Sequence, residues 1–114
     1  MKNREASSTA RSLKLARAAR EMQPHAAQAA ELLKALANEQ RLMILCQLLQ
    51  GPRTVGEVNE RVLLSQSALS QHLAVLREAG VVTTTRESQN VRYALPRGVV
   101  TRLMDVLYEE FCKT

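Results

Sequence analysis

The sequence predicts one mainly α-helical domain carrying a small β-hairpin near its end, and three observations carry that expectation. Apolar residues recur at helical spacing in four separated stretches. Capping and helix-stopping residues stand at the borders of those stretches. One region only, VVTTTRESQNVRYAL, sets two β-rich runs around a polar turn. Of 114 residues, 46% are apolar and 24% charged with both signs mixed, which suits a single folded core rather than a disordered segment. Aromatic side chains are few, so Leu, Val, Ala and Met must fill that core.

Taken in order, LKLARAARE within residues 12–22 is rich in helix formers, and Pro24 marks a restart, because proline is tolerated in a first helical turn but not in an interior. HAAQAAELLKALA follows, with Ala29, Leu32, Leu33 and Leu36 at helical spacing. Asn38 caps the next helix, NEQRLMILCQLLQ, which ends at Gly51-Pro52. Its apolar residues run almost all round, the pattern of a central, buried helix. Thr54 to Arg61 reads as a short helix with a capping box between Thr54 and Glu57. Ser65 opens SQSALSQHLAVLREAG, a helix stopped by Gly80. VVTTTR and VRYAL form a two-stranded hairpin joined by Glu87-Ser88-Gln89-Asn90, with Asn90 supplying the positive φ of the turn. The last helix, GVVTRLMDVLYEEFC, sets Val100, Leu103, Met104, Leu107 and Phe111 on one stripe.

The formal net charge is +5, which points toward nucleic acid or an anionic surface as a partner. Most of the excess lies in residues 1–22, where Lys2, Arg4, Arg11, Lys14, Arg17 and Arg20 face only Glu5 and Glu21. Such an arm is either a solvated terminus or a phosphate-gripping segment. We expect it to be partly helical or disordered, with the domain itself occupying residues 23–114. The arm's Arg-rich, acid-poor composition resembles a transit peptide, but nothing downstream suggests an organellar enzyme. No apolar run approaches the length needed to cross a bilayer. A cytoplasmic protein with no membrane partner is therefore expected, in a compartment where a permanent structural disulfide is disfavoured.

On the helix opened by Ser65, Leu69, Leu73 and Leu76 form a narrow buried stripe, while Ser67, Ser70, Gln71, Ala74 and Glu78 point away. Gln66 and His72 stand on the borders. Short donors and acceptors on such a face can approach base edges in a DNA major groove. A capped short helix, a tight turn, this Ser/Gln-rich helix and a hairpin bearing Arg86 and Arg92 together describe a winged helix-turn-helix. The hairpin arginines can grip phosphate or enter the minor groove, or remain solvated surface charges.

LKALANEQRLMILCQLL, LSQSALSQHLAVLREAGVV and VRYAL, in that order, resemble the ArsR/SmtB-type winged-helix repressors, over roughly residues 25–112. The resemblance implies a homodimer built by the first and last helices of the core, and double-stranded operator DNA as partner. It implies DNA contacts from Gln66, Ser67, Ser70, Gln71 and His72, with Arg86, Gln89 and Arg92 on the wing. At the wing tip, where that family often has glycine, Ser88-Gln89-Asn90 stands instead.

Many members of that family sense metals. Their Cys-Val-Cys pair falls here on Thr54-Val55-Gly56, and the terminal helix has no His to join Asp105, Glu109 and Glu110. No metal site and no cofactor are therefore assigned. The two thiols remain. Cys46 lies near Leu42, Leu45 and Leu49 on its helix and alone reads as a small buried hydrophobe, whereas Cys112 lies about 100 to 120° off the apolar stripe of the last helix. A Cys late in the second core helix plus a Cys at the end of the terminal helix resembles the thiol-based BigR/SqrR/HlyU branch of reactive-sulfur or redox-responsive regulators. That resemblance implies a regulator, not an enzyme, whose Cys46 and Cys112 are bridged by oxidants or reactive sulfur species. The alternatives are a metal-responsive or ligand-independent regulator, an anti-silencing activator with structural cysteines, an interaction module, or a thiol enzyme. The last would need a Cys-x-x-Cys or a cysteine beside a base.

Overall fold

The computed structural model describes residues 2–113, and the surroundings of side chains from residue 8 onward. The side chains of Lys2, Arg4 and Glu5, three charged groups of the arm, lie outside the described residues. The chain divides into two compact units, one ending at Glu31 and one beginning at Leu32. The first holds α1 (Lys2–Met22), a short 3-10 turn (Gln23–His25) with Pro24 in its opening positions, and the start of α2 (Ala26–Leu36). Its side chains from residue 8 to 22 are all exposed.

The second unit runs α3 (Glu39–Leu48), β1 (Arg53–Thr54), α4 (Val55–Asn59), α5 (Gln66–Glu78), β2 (Thr83–Glu87), β3 (Asn90–Ala94) and α6 (Val99–Phe111). Its helix borders follow local chemistry. The Asn38 side chain accepts hydrogen bonds from the Gln40 and Arg41 amides at 2.9 and 3.1 Å, satisfying donors left over in the first turn of α3. The Thr54 hydroxyl accepts from the Glu57 amide at 3.2 Å, and the Glu57 carboxylate accepts from the Thr54 amide at 2.9 Å, which completes the capping box of α4. The Ser65 hydroxyl accepts from the Ala68 amide at 3.1 Å and opens α5.

At the other end of α5, Gly80 takes φ +73°, a left-handed conformation that favours glycine. The Val81 amide returns to the Leu76 carbonyl at 2.9 Å and the Gly80 amide to that of Arg77 at 3.0 Å. Leu76 and Val81 are both buried, so this stop also directs the chain into β2.

The core gathers Ile44, Leu45 and Leu48 of α3, Val58 of α4, Leu69, Leu73 and Leu76 of α5, Val81 and Val82, and Val100 and Met104 of α6. Burying a leucine of this kind contributes about 1.5–3 kcal/mol. Three details differ from the sequence expectation. The hairpin belongs to a three-stranded antiparallel sheet of order β1-β3-β2, because Arg53 and Thr54 pair with Tyr93 and Arg92. The turn is two residues long: Ser88, at φ 54°, is its left-handed residue, while Asn90 pairs with Glu87 inside the ladder. A single positive φ at the first turn position is one of the two tight turns that match strand twist. Finally, α3 is not buried all round, since Met43 remains exposed, as does Leu49 just past its end.

Candidate nucleic-acid interface and thiol cleft

The α4–turn–α5 unit is held from within. α5 packs on both α3 and α4, and the Asn59 side-chain amide spans the connection, donating to the carbonyls of Val62 at 3.3 Å and Leu64 at 2.9 Å. Leu69, Leu73 and Leu76 anchor the inner stripe of α5 with essentially no exposure. Gln66, Ser67, Ser70 and Gln71 all stand exposed along the N-terminal half of the same helix. That half also presents the free amides of a helix start, a favourable place for phosphate.

His72 is placed differently from those four. It is half-buried, and its Nδ1 lies 3.4 Å from a guanidinium nitrogen of Arg41 on α3. Arg41 also donates through Nε to the Ala35 carbonyl at 2.7 Å and through Nη2 to the Lys34 carbonyl at 3.3 Å. One guanidinium thus joins the last turn of α2, the first turn of α3 and the middle of α5. Sequence reasoning missed Arg41, although its standing as the one cation of α3, just before the apolar run LMILC, was the available signal.

The wing separates its two arginines. Arg86 and Gln89 are exposed on β2 and in the turn. Arg92, expected with Arg86 to grip phosphate, enter the minor groove or remain a solvated charge, bridges two carboxylates: Glu57 Oε1 at 3.1 Å and Glu87 Oε2 at 3.0 Å. The cause is register, because β3 sets Arg92 between Thr85 on one side and Thr54 on the other, immediately beside the α4 cap. Hydrogen bonds from the Thr54 backbone and side chain hold Glu57 below the usual carboxylate range, with Arg92 adding to the effect. Between α5 and the wing, Ser70, Ala74, Arg77, Glu78 and Tyr93 line a shallow groove.

On the other side of α3, Cys46 and Cys112 open onto one cleft of about 290 Å³. Leu42 of α3, Leu49 just past its end, and Met104, Leu107, Tyr108 and Phe111 of α6 form its walls, and Asp105 is its one charged residue among the described residues. Both thiols are free; Cys46 is half-buried and Cys112 exposed. Burial pushes the Cys46 thiol above its ordinary range, and the neighbouring Cys112 pushes it further the same way. Helical spacing alone placed Cys112 off the apolar stripe. The structure adds that this flank faces α3. Among the described residues, no three His, Cys, Asp or Glu side chains come together in a group that could hold a metal ion.

Comparison with known proteins agrees with this architecture. Residues 38–84 match the family model described as bacterial regulatory protein, arsR family. The chain is 50% identical over 93 residues to the transcriptional activator HlyU of Vibrio cholerae, covering 82% of this chain and 86% of the relative. The structure of reduced HlyU from that organism superposes with a TM-score of 0.74, over 81% of this chain and 97% of that one. The transcriptional repressor BigR of Xylella fastidiosa, 38% identical, superposes with a TM-score of 0.75 over 83% and 97% of the two chains. A homodimeric winged helix-turn-helix DNA-binding domain from Mycobacterium bovis, 31% identical, gives a TM-score of 0.70 over 76% and 81%. With this fold, these capped helices and relatives of this identity over most of their length, the chain belongs to the ArsR family of bacterial regulatory proteins and is a DNA-binding transcriptional regulator.

Proposed function

We propose that the chain is a homodimeric repressor whose operator affinity is set by the oxidation state of Cys46 and Cys112. Gln66, Ser67, Ser70 and Gln71 read base edges, Arg86 and Gln89 contact the DNA backbone from the wing, and His72 and Arg92 orient the two elements from behind. The observation that carries the switch is that two cysteines far apart in sequence line the same cleft of one chain. Oxidation or a sulfur-chain insertion that joins them fastens α6 to α3, and α3 packs directly on α5. Two half-sites lie about 34–36 Å apart, so a small displacement of either recognition helix misaligns the pair.

A dimer face is available without using the cleft. Val99 and Val106 of α6 are exposed at 47% and 63%, and at 100° per residue they stand on the side of the helix away from Tyr108 and Cys112. The test compares operator affinity by fluorescence anisotropy for reduced, diamide-treated and persulfide-treated protein at one salt concentration. Reduced protein is expected to bind tightly and treated protein weakly, with Cys46→Ser and Cys112→Ser abolishing the difference. Equal affinities in all states refute the switch. Affinity that does not fall with salt refutes DNA binding by these groups.

A further inference from the structure

We infer that the thiol cleft selects neutral organic polysulfides with small apolar substituents over anionic sulfur donors. The inference rests on the thiol switch proposed above and names the chemical class of its effector. Three features of the cleft point to it. Its volume, about 290 Å³, lies at the small end of ligand pockets, which suits a short sulfur chain with compact ends. Its walls are leucine, methionine and aromatic side chains, which offer an incoming anion no cation and almost no hydrogen-bond donor. Its one charged lining residue, Asp105, has the same sign as a carboxylate-bearing or persulfide anion. Lys113, the cation next to Cys112 in sequence, is held by Glu109 at 3.4 Å. An anion entering this cleft loses hydration and meets repulsion, whereas a neutral dialkyl trisulfide loses little and gains apolar contact.

Exposure divides the labour between the thiols. Cys112, the exposed one, is the group an incoming reagent meets first, and half-buried Cys46 is the resolving thiol. The Cys112 thiolate attacks a terminal sulfur of the trisulfide R-S-S-S-R, forming Cys112-S-S-R and releasing RSS⁻. The Cys46 thiolate then attacks the Cys112 sulfur, forming the Cys46–Cys112 disulfide and releasing RS⁻. Two thiols are oxidised to one disulfide, and the trisulfide is reduced to one hydropersulfide and one thiol. The two thiol protons end on those products.

The experiment uses the reduced protein with dipropyl trisulfide and bis(2-carboxyethyl) trisulfide, two reagents of similar length, one neutral and one dianionic. Disulfide formation is timed by acid quench and mass spectrometry, and each rate is divided by that of the same reagent with free cysteine. The normalised rate is expected to favour dipropyl trisulfide by about threefold or more, because Asp105 repels the carboxylates and the apolar walls offer them no donor in place of water. Asp105→Asn is expected to raise the dicarboxylate rate relative to the dipropyl rate, narrowing the ratio between them. Equal normalised rates, or a preference that Asp105→Asn does not reduce, overturn the inference. Operator affinity measured on the same samples separates the two ideas. Disulfide formed selectively but without change in DNA affinity refutes the switch and leaves the selectivity standing. Affinity lost equally with both reagents refutes the selectivity and leaves the switch.

Discussion

Replacing Arg41 with methionine keeps the aliphatic stem of the side chain and deletes its charged fork. The fork donates to the Ala35 carbonyl at 2.7 Å and the Lys34 carbonyl at 3.3 Å, and meets His72 Nδ1 at 3.4 Å. A hydrogen bond involving a charged group contributes about 1.5–3 kcal/mol when well formed, and only the first of these contacts is short and partly shielded. A cation beside the closing carbonyls of a helix adds roughly 0.3–1 kcal/mol. The expected loss is therefore about 2–3 kcal/mol. For a domain of this size each kcal/mol shifts Tm by roughly 4–8 °C. Urea denaturation of reduced protein, at fixed protein concentration because the stability of the proposed dimer would depend on it, should show a lowered midpoint with unchanged slope. Arg41→Lys should recover less than half of the loss, since an ammonium cannot span acceptors arranged around a planar fork. A change for Arg41→Met below about 0.5 kcal/mol, the range of ordinary surface substitutions, would refute the assignment of Arg41 as a structural junction.

The two wing arginines should behave differently in salt titrations of operator binding. Arg86→Gln is expected to lower the slope of log affinity against log salt by about one unit, while Arg92→Gln weakens binding with little change in slope; equal slope changes would show that Arg92 also meets phosphate. In Cys112→Ser protein, alkylation of Cys46 should rise with pH around a midpoint above that of a free thiol, because burial, the larger cause, remains. With Cys112 restored the midpoint moves higher still, and a midpoint at or below that of free cysteine would refute this environment. The sign for stability follows: a thiol whose folded pKa is raised contributes stability below the unfolded pKa and loses it as pH rises through the folded one, so the reduced fold weakens on the alkaline side. Leu69→Ala, at a position with no exposure, should cost about 2–5 kcal/mol by calorimetry or urea, and a cost under 1 kcal/mol would refute close packing of α5 on α3.

What could be read from sequence was local. Asn38, Thr54 with Glu57, Ser65 and Gly80 each mark a helix border because the signal and the structure it makes lie within a few residues. The stripe of Leu69, Leu73 and Leu76 follows from helix geometry alone, and so does the polar outer face opposite it. What escaped depends on distant partners. β1 has two residues, too short for any periodicity, and is a strand only because β3 lies beside it. The ladder register, not the residue preference of the turn, decides that Ser88 rather than Asn90 takes the positive φ. Arg92 reads as a free surface charge until Glu57, 35 residues away, is placed next to it. Likewise the apolar circumference of α3 resembles complete burial, whereas part of it lines the cleft of Cys46 and Cys112.

The short strand β1 has a consequence for how such a regulator can diversify. It fastens the inner edge of β3 to the segment that opens α4, and Arg92 crosses the same junction to reach Glu57. The base of β3 is thereby committed to the helical body, while the tip at Ser88-Gln89 lies beyond the last ladder pair, Glu87 with Asn90. Residues can be added or exchanged there at small energetic cost, altering how far the hairpin would extend along a duplex without retuning α5, the helix proposed to read sequence. Reach and recognition can therefore change independently in descendants of this chain.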